Sequence, residues 1–286
     1  MMKEYRNIPY KQAETRTLYL DLFLPEEKNP PLIMWIHGGG WKELNRTWNL
    51  AMPMLEKGYA VAAVDYRYSD EGQFPTQMLD LKEALLFLKK HAGQYGYNGE
   101  TIAVSGDSAG GHLSALLGVS AGKRDWETAE GDYSVQAVVD MCGPTSLPLS
   151  YQDKEEKPNN GAAELLGAPV TSKEGLGLAA AASPLTYING GEPPFLILHG
   201  SEDPSVSPEH SRLLRNALEK AGVPVMMYLI PGAVHAFGGR LVTDIMGEFL
   251  DYFLKGIKTV DTPAVEQEHH RAIPYVRKPK HESVPD

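Results

Sequence analysis

Short apolar runs, separated by turns and by amphipathic stretches, recur along most of this chain. Between residues 18 and 24 leucine occupies every second position, which is the spacing of a strand with one buried face. Later runs are almost continuously apolar, as in strands that are covered on both faces of a sheet. The runs predicted to be strands of this second kind are Leu32–Ile36, Ala60–Val64, Thr101–Ser105, Val135–Val139, Phe195–Leu198 and Val225–Ile230.

Helical patterns alternate with these strands. Residues 76–91 place apolar side chains on one stripe of a helix, namely those of Met78, Leu81, Leu85 and Leu88. Further helices are predicted after the glycines at 110 and 111, from 207 to 222, and from 239 to 254. Strands that alternate with helices indicate an α/β fold, with a mainly parallel, doubly wound sheet.

The alternation of predicted strands and helices stops between residues 144 and 183, which are rich in Gly, Pro, Asn and Ala. We interpret this stretch as a cap or lid insertion in a single domain that spans residues 1–258. A long solvated loop is the alternative, since loops of this length in compact domains tend to be functional or disordered. Residues 259–286 are polar and are interpreted as a C-terminal tail without an assigned function.

Composition narrows the class of protein. The chain has 286 residues, of which 42% are hydrophobic, and one α/β domain of this size is ordinary. A net charge of −10, with no basic cluster before the last fifteen residues, argues against a nucleic-acid partner. No apolar run approaches the roughly 18 residues of a membrane span. The single cysteine, Cys142, and the polar N-terminus favour a cytoplasmic protein.

The peptide Gly-Asp-Ser-Ala-Gly at residues 106–110 carries the clearest chemical signal. It lies between a predicted strand and a predicted helix, where a Gly-x-Ser-x-Gly turn pushes its serine hydroxyl out at the end of a sheet. About seventy residues upstream, His37 begins the segment His-Gly-Gly-Gly-Trp directly after another predicted strand. In this order the two segments predict acyl-transfer chemistry with Ser108 as the nucleophile.

A nucleophilic serine needs a histidine base, and that base needs a carboxylate to orient it. Loops at the carboxyl ends of parallel strands meet at one edge of the sheet. Asp203 and His235 follow the strands that begin at 195 and 225, which gives the chain order Ser, Asp, His expected for a fold with this strand–turn–helix serine. Glu202 and Asp140 are rival acids. The rival histidines at 37, 112 and 199 lie beside strands or glycines, where we expect them to bond the backbone locally.

Together these segments resemble the α/β-hydrolase carboxylesterases of the hormone-sensitive-lipase-like branch, closest to compact bacterial acetyl- and feruloyl-esterase-like members. The resemblance runs over residues 16–255 and rests on His37–Trp41, Asp65–Arg67, Gly106–His112, Ser183–Pro184, Pro193–Gly200 and Pro231–Phe237. It implies an α/β-hydrolase fold with Ser108 as nucleophile, His235 as general base and acid, and Asp203 as its orienting residue.

The resemblance also implies an oxyanion hole made by the backbone N–H groups of Gly39, Gly40 and Ala109. Glycines let the main chain turn its N–H groups inward, and Ala109 begins a helix whose dipole favours an anion. Trp41 is a candidate wall of the acyl pocket, with packing of its own loop as the alternative. Because only a short polar stretch precedes the first predicted strand, any cap comes mainly from the insertion.

The function expected from these features is a serine carboxylesterase that cleaves short acyl or aryl esters, such as acetyl or feruloyl esters, through an acyl-enzyme. We expect no cofactor, no metal site and no partner beyond a small-molecule ester, and we leave a homodimer open. Two other classes remain. One is an amide-cleaving hydrolase with the same triad, such as an arylformamidase or a peptidase-like domain. The other is a binding protein on an inactive hydrolase fold, which typically lacks a triad member.

Overall fold

The computed structural model describes residues 2–123, 126, 129–149 and 161–257 of the chain. The described part is built around an eight-stranded sheet with the strand order β1-β2-β4-β3-β5-β6-β7-β8. The pairs β1–β2 and β2–β4 are antiparallel, and all other neighbours are parallel, which confirms the mainly parallel sheet. The strands are β1 (Lys3–Gln12), β2 (Thr17–Leu24), β3 (Pro31–Ile36), β4 (Ala60–Val64), β5 (Asn98–Asp107), β6 (Ala137–Met141), β7 (Phe195–Gly200) and β8 (Val225–Ile230).

Helices cover both faces of this sheet. Helices α1, α2 and α5 pack with the core on one face, and α6 packs with a second core on the other. Strand β3 is apolar throughout because both of its faces are buried. Met34 belongs to the first core and Trp35 to the second, because successive side chains of a strand point to opposite faces. The helices are α1 (Thr76–Tyr95), α2 (Ala109–Val119), α3 (Gly161–Leu166), α4 (Lys173–Ala181), α5 (Glu209–Lys220) and α6 (Arg240–Lys255).

The N-terminal segment corrects the sequence interpretation. We expected a short polar stretch before the first strand, but residues 3–12 form the edge strand β1, paired with β2. Most of its side chains are exposed, and only Ile8 and Tyr10 reach the core, at 9% and 8% exposure. An edge strand that covers little of the core needs few apolar residues, so it lacks the alternation by which strands are recognised.

The segment between β6 and β7 contains two helices and turns its apolar side chains inward. Leu165 and Val170 are buried in the same core as α1 and α2. The Leu165 carbonyl also accepts a 2.8 Å hydrogen bond from the N–H of Phe74, just before α1. The described part of the insertion is therefore packed against the domain. Residues 150–160 of the insertion and the tail at 259–286 lie outside the described residues.

Strands β5, β7 and β8 end at one edge of the sheet, each followed by a loop with one residue of the predicted triad. Parallel pairing of β5 with β6, β6 with β7 and β7 with β8 places these ends side by side. Within the described ranges, no helix combines the length and apolar character needed to cross a bilayer.

Candidate active site

Ser108 occupies the tight turn between β5 and α2. Its φ of 53° and ψ of −119° are unfavourable for a residue with a side chain and cost on the order of 1–3 kcal/mol. A Cβ at Gly106 would lie 2.4 Å from the Ile36 carbonyl oxygen, and one at Gly110 would lie 2.0 Å from it. Only glycine fits at these two positions, so β3 and α2 can pass closely enough to project the serine from the turn.

Ser108, His235 and Asp203 form a continuous hydrogen-bonded row. The Ser108 hydroxyl lies 2.7 Å from Nε2 of His235, and Nδ1 of His235 lies 2.7 Å from Oδ2 of Asp203. The imidazole nitrogen beside the carboxylate carries the proton, which leaves Nε2 free to accept from the serine. The His235 side chain is 21% exposed while that of Asp203 is fully buried. The base is thus reachable by a substrate and the acid is shielded.

The Asp203 carboxylate is surrounded by donors. Oδ1 accepts from the N–H groups of Ser205, at 2.8 Å, and Val206, at 3.0 Å. Oδ2 lies 2.7 Å from His235 and 3.2 Å from Nε2 of His199. Burial alone would raise the pKa of Asp203, but the bonds from His199 and His235 outweigh it and hold the pKa well below its usual range. The residue is therefore ionised wherever an esterase would work.

The rival acids are placed elsewhere. Asp140 is fully buried, and its Oδ1 accepts the N–H of Gly143 at 2.9 Å. Glu202 is exposed to solvent on the loop after β7. Of the acids weighed from sequence, it is Asp203 whose carboxylate contacts the imidazole of His235.

The glycine loop after β3 presents backbone N–H groups near the nucleophile turn. Gly39 has a φ of 102° and Gly40 a φ of 61°, both in the region that favours glycine. The N–H of Gly38 is used structurally and donates to Oδ1 of Asp107 at 3.0 Å. Among the contacts of the described residues, the N–H groups of Gly39, Gly40 and Ala109 donate to no protein acceptor. All three are available for an oxyanion, and their catalytic role stays a prediction.

Asp107 links the nucleophile turn to this loop, a role that the sequence reasoning missed. Its side chain is buried; besides the Gly38 bond, Oδ2 accepts the indole N–H of Trp48 at 3.1 Å. Burial raises the pKa of Asp107 to about 6, although the Trp48 bond and the nearby His235 oppose that shift. A Cβ on Gly38 would meet the same carboxylate at 2.8 Å. The sequence did offer one sign that Asp107 supports the site, because Asp107 directly precedes the nucleophilic serine.

Trp41 is buried, with 6% of its surface exposed. Its indole N–H donates to Nδ1 of His112 at 3.1 Å, and Nε2 of His112 donates to the Ala182 carbonyl at 2.7 Å. His112 thus joins the glycine loop to the end of the insertion, rather than bonding only its own neighbours as expected. Burial lowers the pKa of His112 to about 4, which keeps the ring neutral in this role. Packing of its loop accounts for the position of Trp41, and contact with a substrate stays a prediction.

The other rival histidines differ from each other. His37 meets the expectation of local bonding, since its Nδ1 lies 2.8 Å from the Gly38 carbonyl and its ring stacks on Tyr66 at 4.4 Å. Burial lowers the pKa of His37 to about 4. His199 departs from the expectation, because it contacts the triad acid. The available signal was its place at the end of β7, four residues before Asp203.

Cys142, Asp203 and His235 bring potential metal-ligand atoms within 4.8 Å of one another, although no spacing in the sequence suggested it. Asp203 and His235 already bond each other. The thiol is fully buried, and burial together with the nearby Asp107 raises the pKa of Cys142 well above its usual value. A buried, protonated thiol is a poor metal ligand. The cluster is explained by the packing of Cys142 beneath the triad.

Two clefts open on the described surface. One, of about 600 Å³, lies between the glycine loop, the loop after β4 and helix α3. Its polar lining includes Lys42, Glu43, Ser69, Asp70, Gln73 and Glu164. Helix α3 begins against the glycine loop, since a Cβ on Gly161 would lie 3.2 Å from the Gly40 carbonyl oxygen. The other cleft, of about 380 Å³, is lined by residues that precede β6 and β7, by the end of α2 and by Phe253 of α6, at the opposite edge from Ser108.

Comparison with known proteins agrees with this geometry. The family model BD-FAE matches residues 20–218. Esterase LipQ of Mycobacterium tuberculosis is 28% identical over 260 residues, which cover 85% of this chain and 61% of LipQ. A probable carboxylic ester hydrolase of the same organism, LipM, is 30% identical over 72% of this chain and 49% of its own. The chain thus spans about half to three fifths of these relatives.

Two solved structures cover nearly the same length as this chain. A truncated form of a carbohydrate esterase from gut microbiota superposes with a TM-score of 0.80 at 27% identity, covering 88% of this chain and 96% of that one. Esterase 2 of Thermogutta terrifontis, with propionate bound, gives a TM-score of 0.69 at 26% identity, covering 87% and 92%. These likenesses confirm the α/β-hydrolase fold and the resemblance to carboxylesterases.

Proposed function

The chain belongs to the BD-FAE family, and we propose that it is a serine carboxylesterase that cleaves short acyl esters through an acyl-enzyme. The observation that carries the proposal is the row of two 2.7 Å hydrogen bonds from Ser108 through His235 to Asp203. A serine hydroxyl is a weak nucleophile near neutral pH, and this row supplies the base and the orienting acid that it needs.

In the first half-reaction, the Ser108 hydroxyl attacks the ester carbonyl while its proton passes to Nε2 of His235. The carbonyl oxygen becomes an anion, which accepts hydrogen bonds from the N–H groups of Gly39, Gly40 and Ala109. Each such donor contributes about 3 kcal/mol to the stability of the transition state. The intermediate then collapses, the bond to the alcohol oxygen breaks, and His235 returns the proton to the leaving alkoxide.

In the second half-reaction, water takes the place of the alcohol. Nε2 of His235 removes a proton from the water as its oxygen adds to the acyl carbon. The same N–H groups hold the second oxyanion. When this intermediate collapses, the bond to Ser108 Oγ breaks, the serine recovers its proton from His235, and the free acid leaves. Asp203 stays ionised and stabilises the imidazolium in both halves.

The acyl group favoured by the fold is short. The apolar side chains of α3 and of the turn after it, such as Leu165 and Val170, are buried in the domain core rather than left for a substrate. Each methylene gains about 0.8 kcal/mol only where apolar walls can bury it. Solved neighbours of 26% identity hold propionate and butyrate, which supports the same preference.

The alcohol side favours a polar group, such as a carbohydrate. The 600 Å³ cleft beside the glycine loop carries charged and amide side chains, and Lys42 pairs with Glu164 at 2.7 Å on its rim. Hydroxyl-rich alcohols match such a lining because each hydroxyl can both donate and accept. One structural neighbour is named a carbohydrate esterase, which supports this assignment.

The test is a panel of nitrophenyl acyl esters, acetylated xylo-oligosaccharides, methyl ferulate and matched anilides, compared by kcat/KM. We expect esters to exceed matched anilides, and acetylated oligosaccharides to be cleaved. The variant Asp70→Ala should lower kcat/KM on the oligosaccharides and leave nitrophenyl acetate unchanged. Faster cleavage of anilides than of esters would instead favour an amide hydrolase, and equal effects of Asp70→Ala on both substrates would remove the cleft from the substrate site.

A further inference from the structure

His199 lies at the end of β7 with its side chain fully buried behind the triad. Its Nδ1 is 2.6 Å from the hydroxyl of Ser211 on α5. Its Nε2 is 2.9 Å from the Val206 carbonyl oxygen and 3.2 Å from Oδ2 of Asp203. The imidazole therefore spans from a helix on one side to the triad acid on the other.

These partners determine which nitrogen of His199 carries the proton. A carbonyl oxygen and an ionised carboxylate can only accept, so Nε2, which faces both, is the donor. Nδ1 is then an acceptor, and the Ser211 hydroxyl donates to it. The carbonyl is the nearer acceptor and Oδ2 of Asp203 is the second one within reach. The ring is thus held by α5 in the tautomer that turns an N–H toward the triad.

The contact completes the surroundings of the Asp203 carboxylate. Oδ1 has two backbone donors, and Oδ2 has the two imidazoles of His199 and His235. The carboxylate cannot rotate without losing donors on both oxygens. The negative charge on Oδ2 of Asp203 also interacts with two N–H groups, one on His199 and one on His235. Of these two imidazoles, only that of His235 takes part in the proposed proton transfers.

Other ionisable groups close to the triad lie on neighbouring strands. Asp107, the last residue of β5, interacts with His235, and Asp140, on β6, interacts with His199. Cys142, which follows β6, lies against both Asp203 and His235. Burial raises the pKa of each of these three side chains, so each is less readily charged than in water. None of them donates to Oδ2 of Asp203 in the described contacts, which leaves His199 as the second donor.

We propose that His199 is a positioning residue of the esterase, which orients the Asp203 carboxylate and limits how strongly it stabilises the imidazolium of His235. The proposal rests on the proposed function. If the shared N–H is removed, the carboxylate is less well oriented and turnover slows. The full charge of Oδ2 then acts on His235 and stabilises its protonated form more strongly.

Two substitutions of similar size separate these effects. In His199→Gln, the amide nitrogen lies about as far along the side chain as Nε2 and can still donate toward Asp203. In His199→Asn, the amide nitrogen lies near the Nδ1 position and cannot reach it. Thermal unfolding of both variants shows whether each is folded. If His199→Asn does not fold, Ser211→Ala replaces it. This variant removes the hydroxyl that holds Nδ1 of His199, so that the imidazole is less firmly positioned while its length is unchanged.

For His199→Asn we expect a fall in kcat of about tenfold with little change in KM, because a shared bond to a charged acceptor is lost. The acid limb of kcat/KM against pH should move to a higher pH. His199→Gln should restore most of both. Equal losses in the two variants with an unmoved acid limb would show that His199 only packs the loop, and would overturn the proposal.

A second measurement does not depend on activity. In ¹H NMR spectra of the resting protein, the Nδ1 proton of His235 should resonate downfield in His199→Asn, or to a smaller extent in Ser211→Ala, because Oδ2 becomes a stronger acceptor. An unmoved resonance in a folded variant would overturn the positioning role. Absence of esterase activity in the wild-type protein, with the resonance shift present, would count against the proposed function instead.

Discussion

Replacing Asp203 with asparagine tests the proposed triad most directly, because the two side chains have nearly the same shape. Four donor groups surround this carboxylate: the N–H groups of Ser205 and Val206 and the imidazole of His235 donate hydrogen bonds to it, and Nε2 of His199 lies 3.2 Å from its Oδ2. An amide has one acceptor oxygen and one NH₂ group. Whichever way it turns, its NH₂ group faces two donors in a buried site.

The amide introduced by Asp203→Asn can take two orientations, and the one that costs less free energy accounts for the expected loss of activity. Turning the NH₂ group toward Ser205 and Val206 would leave two buried backbone donors unpaired, at about 1–3 kcal/mol each. Turning it toward His235 avoids this cost, but Nδ1 must then become an acceptor and Nε2 carries the proton. The base can no longer take the proton of Ser108, and we expect kcat to fall by about 10³–10⁴, or roughly 4–5 kcal/mol in the barrier.

The assay is the steady-state hydrolysis of nitrophenyl acetate between pH 7 and 8, with thermal unfolding as the check on folding. Glu202→Gln is the matched control, because it makes the same chemical change on the neighbouring, exposed residue and should leave kcat nearly unchanged. A folded Asp203→Asn protein that retains a tenth of the wild-type kcat would refute the reasoning, as would an equal loss in Glu202→Gln.

Three further predictions follow from the site and its support. Ser108→Ala should lose about 10⁴-fold in kcat and all labelling by a fluorophosphonate probe, and retained labelling would place the nucleophile elsewhere. Gly110→Ala puts a Cβ 2.0 Å from the Ile36 carbonyl and should cost about 3 kcal/mol of unfolding free energy in urea, whereas Gly93→Ala, which meets no atom within 4 Å, should be neutral or stabilising; similar midpoints for the two would contradict the close approach. Burial lowers the pKa of His112 from 6.5 to about 4. The contribution of the neutral His112 ring to the stability of the fold is therefore complete above pH 6.5, and it is lost as the pH falls toward 4. His112→Gln should therefore flatten the dependence of Tm on pH in that interval, and parallel curves for variant and wild type would argue against the assignment.

Much of the fold could be predicted from the sequence because its signals are local. The alternating leucines of β2 are buried, with Leu18, Leu20 and Leu22 at 0% exposure, and the stripe of α1 faces the core as expected. The order of Ser108, Asp203 and His235 needs only the strand pattern and the rule that loops after parallel strands share one edge. A nucleophile turn is also visible locally, since two glycines and a serine must occur at fixed spacing.

Only the tertiary structure decided which contacts form between segments that are distant in the sequence. Strand β1 has too little apolar surface to be recognised, and it is a strand because β2 offers a free edge. Asp107 could be seen beside the serine, but its bond to Gly38 depends on how β3 and β5 are aligned.

The same distinction applies to the histidines. The sequence determined that four of them stand near strand ends or glycines, and it ranked His235 as the base from its loop. It could not show that His112 bridges Trp41 and Ala182, or that His199 reaches Asp203, because each contact joins atoms that only the folded chain brings together. Periodicity reports which face of an element is buried, whereas the partner of a buried polar group is decided by packing across elements.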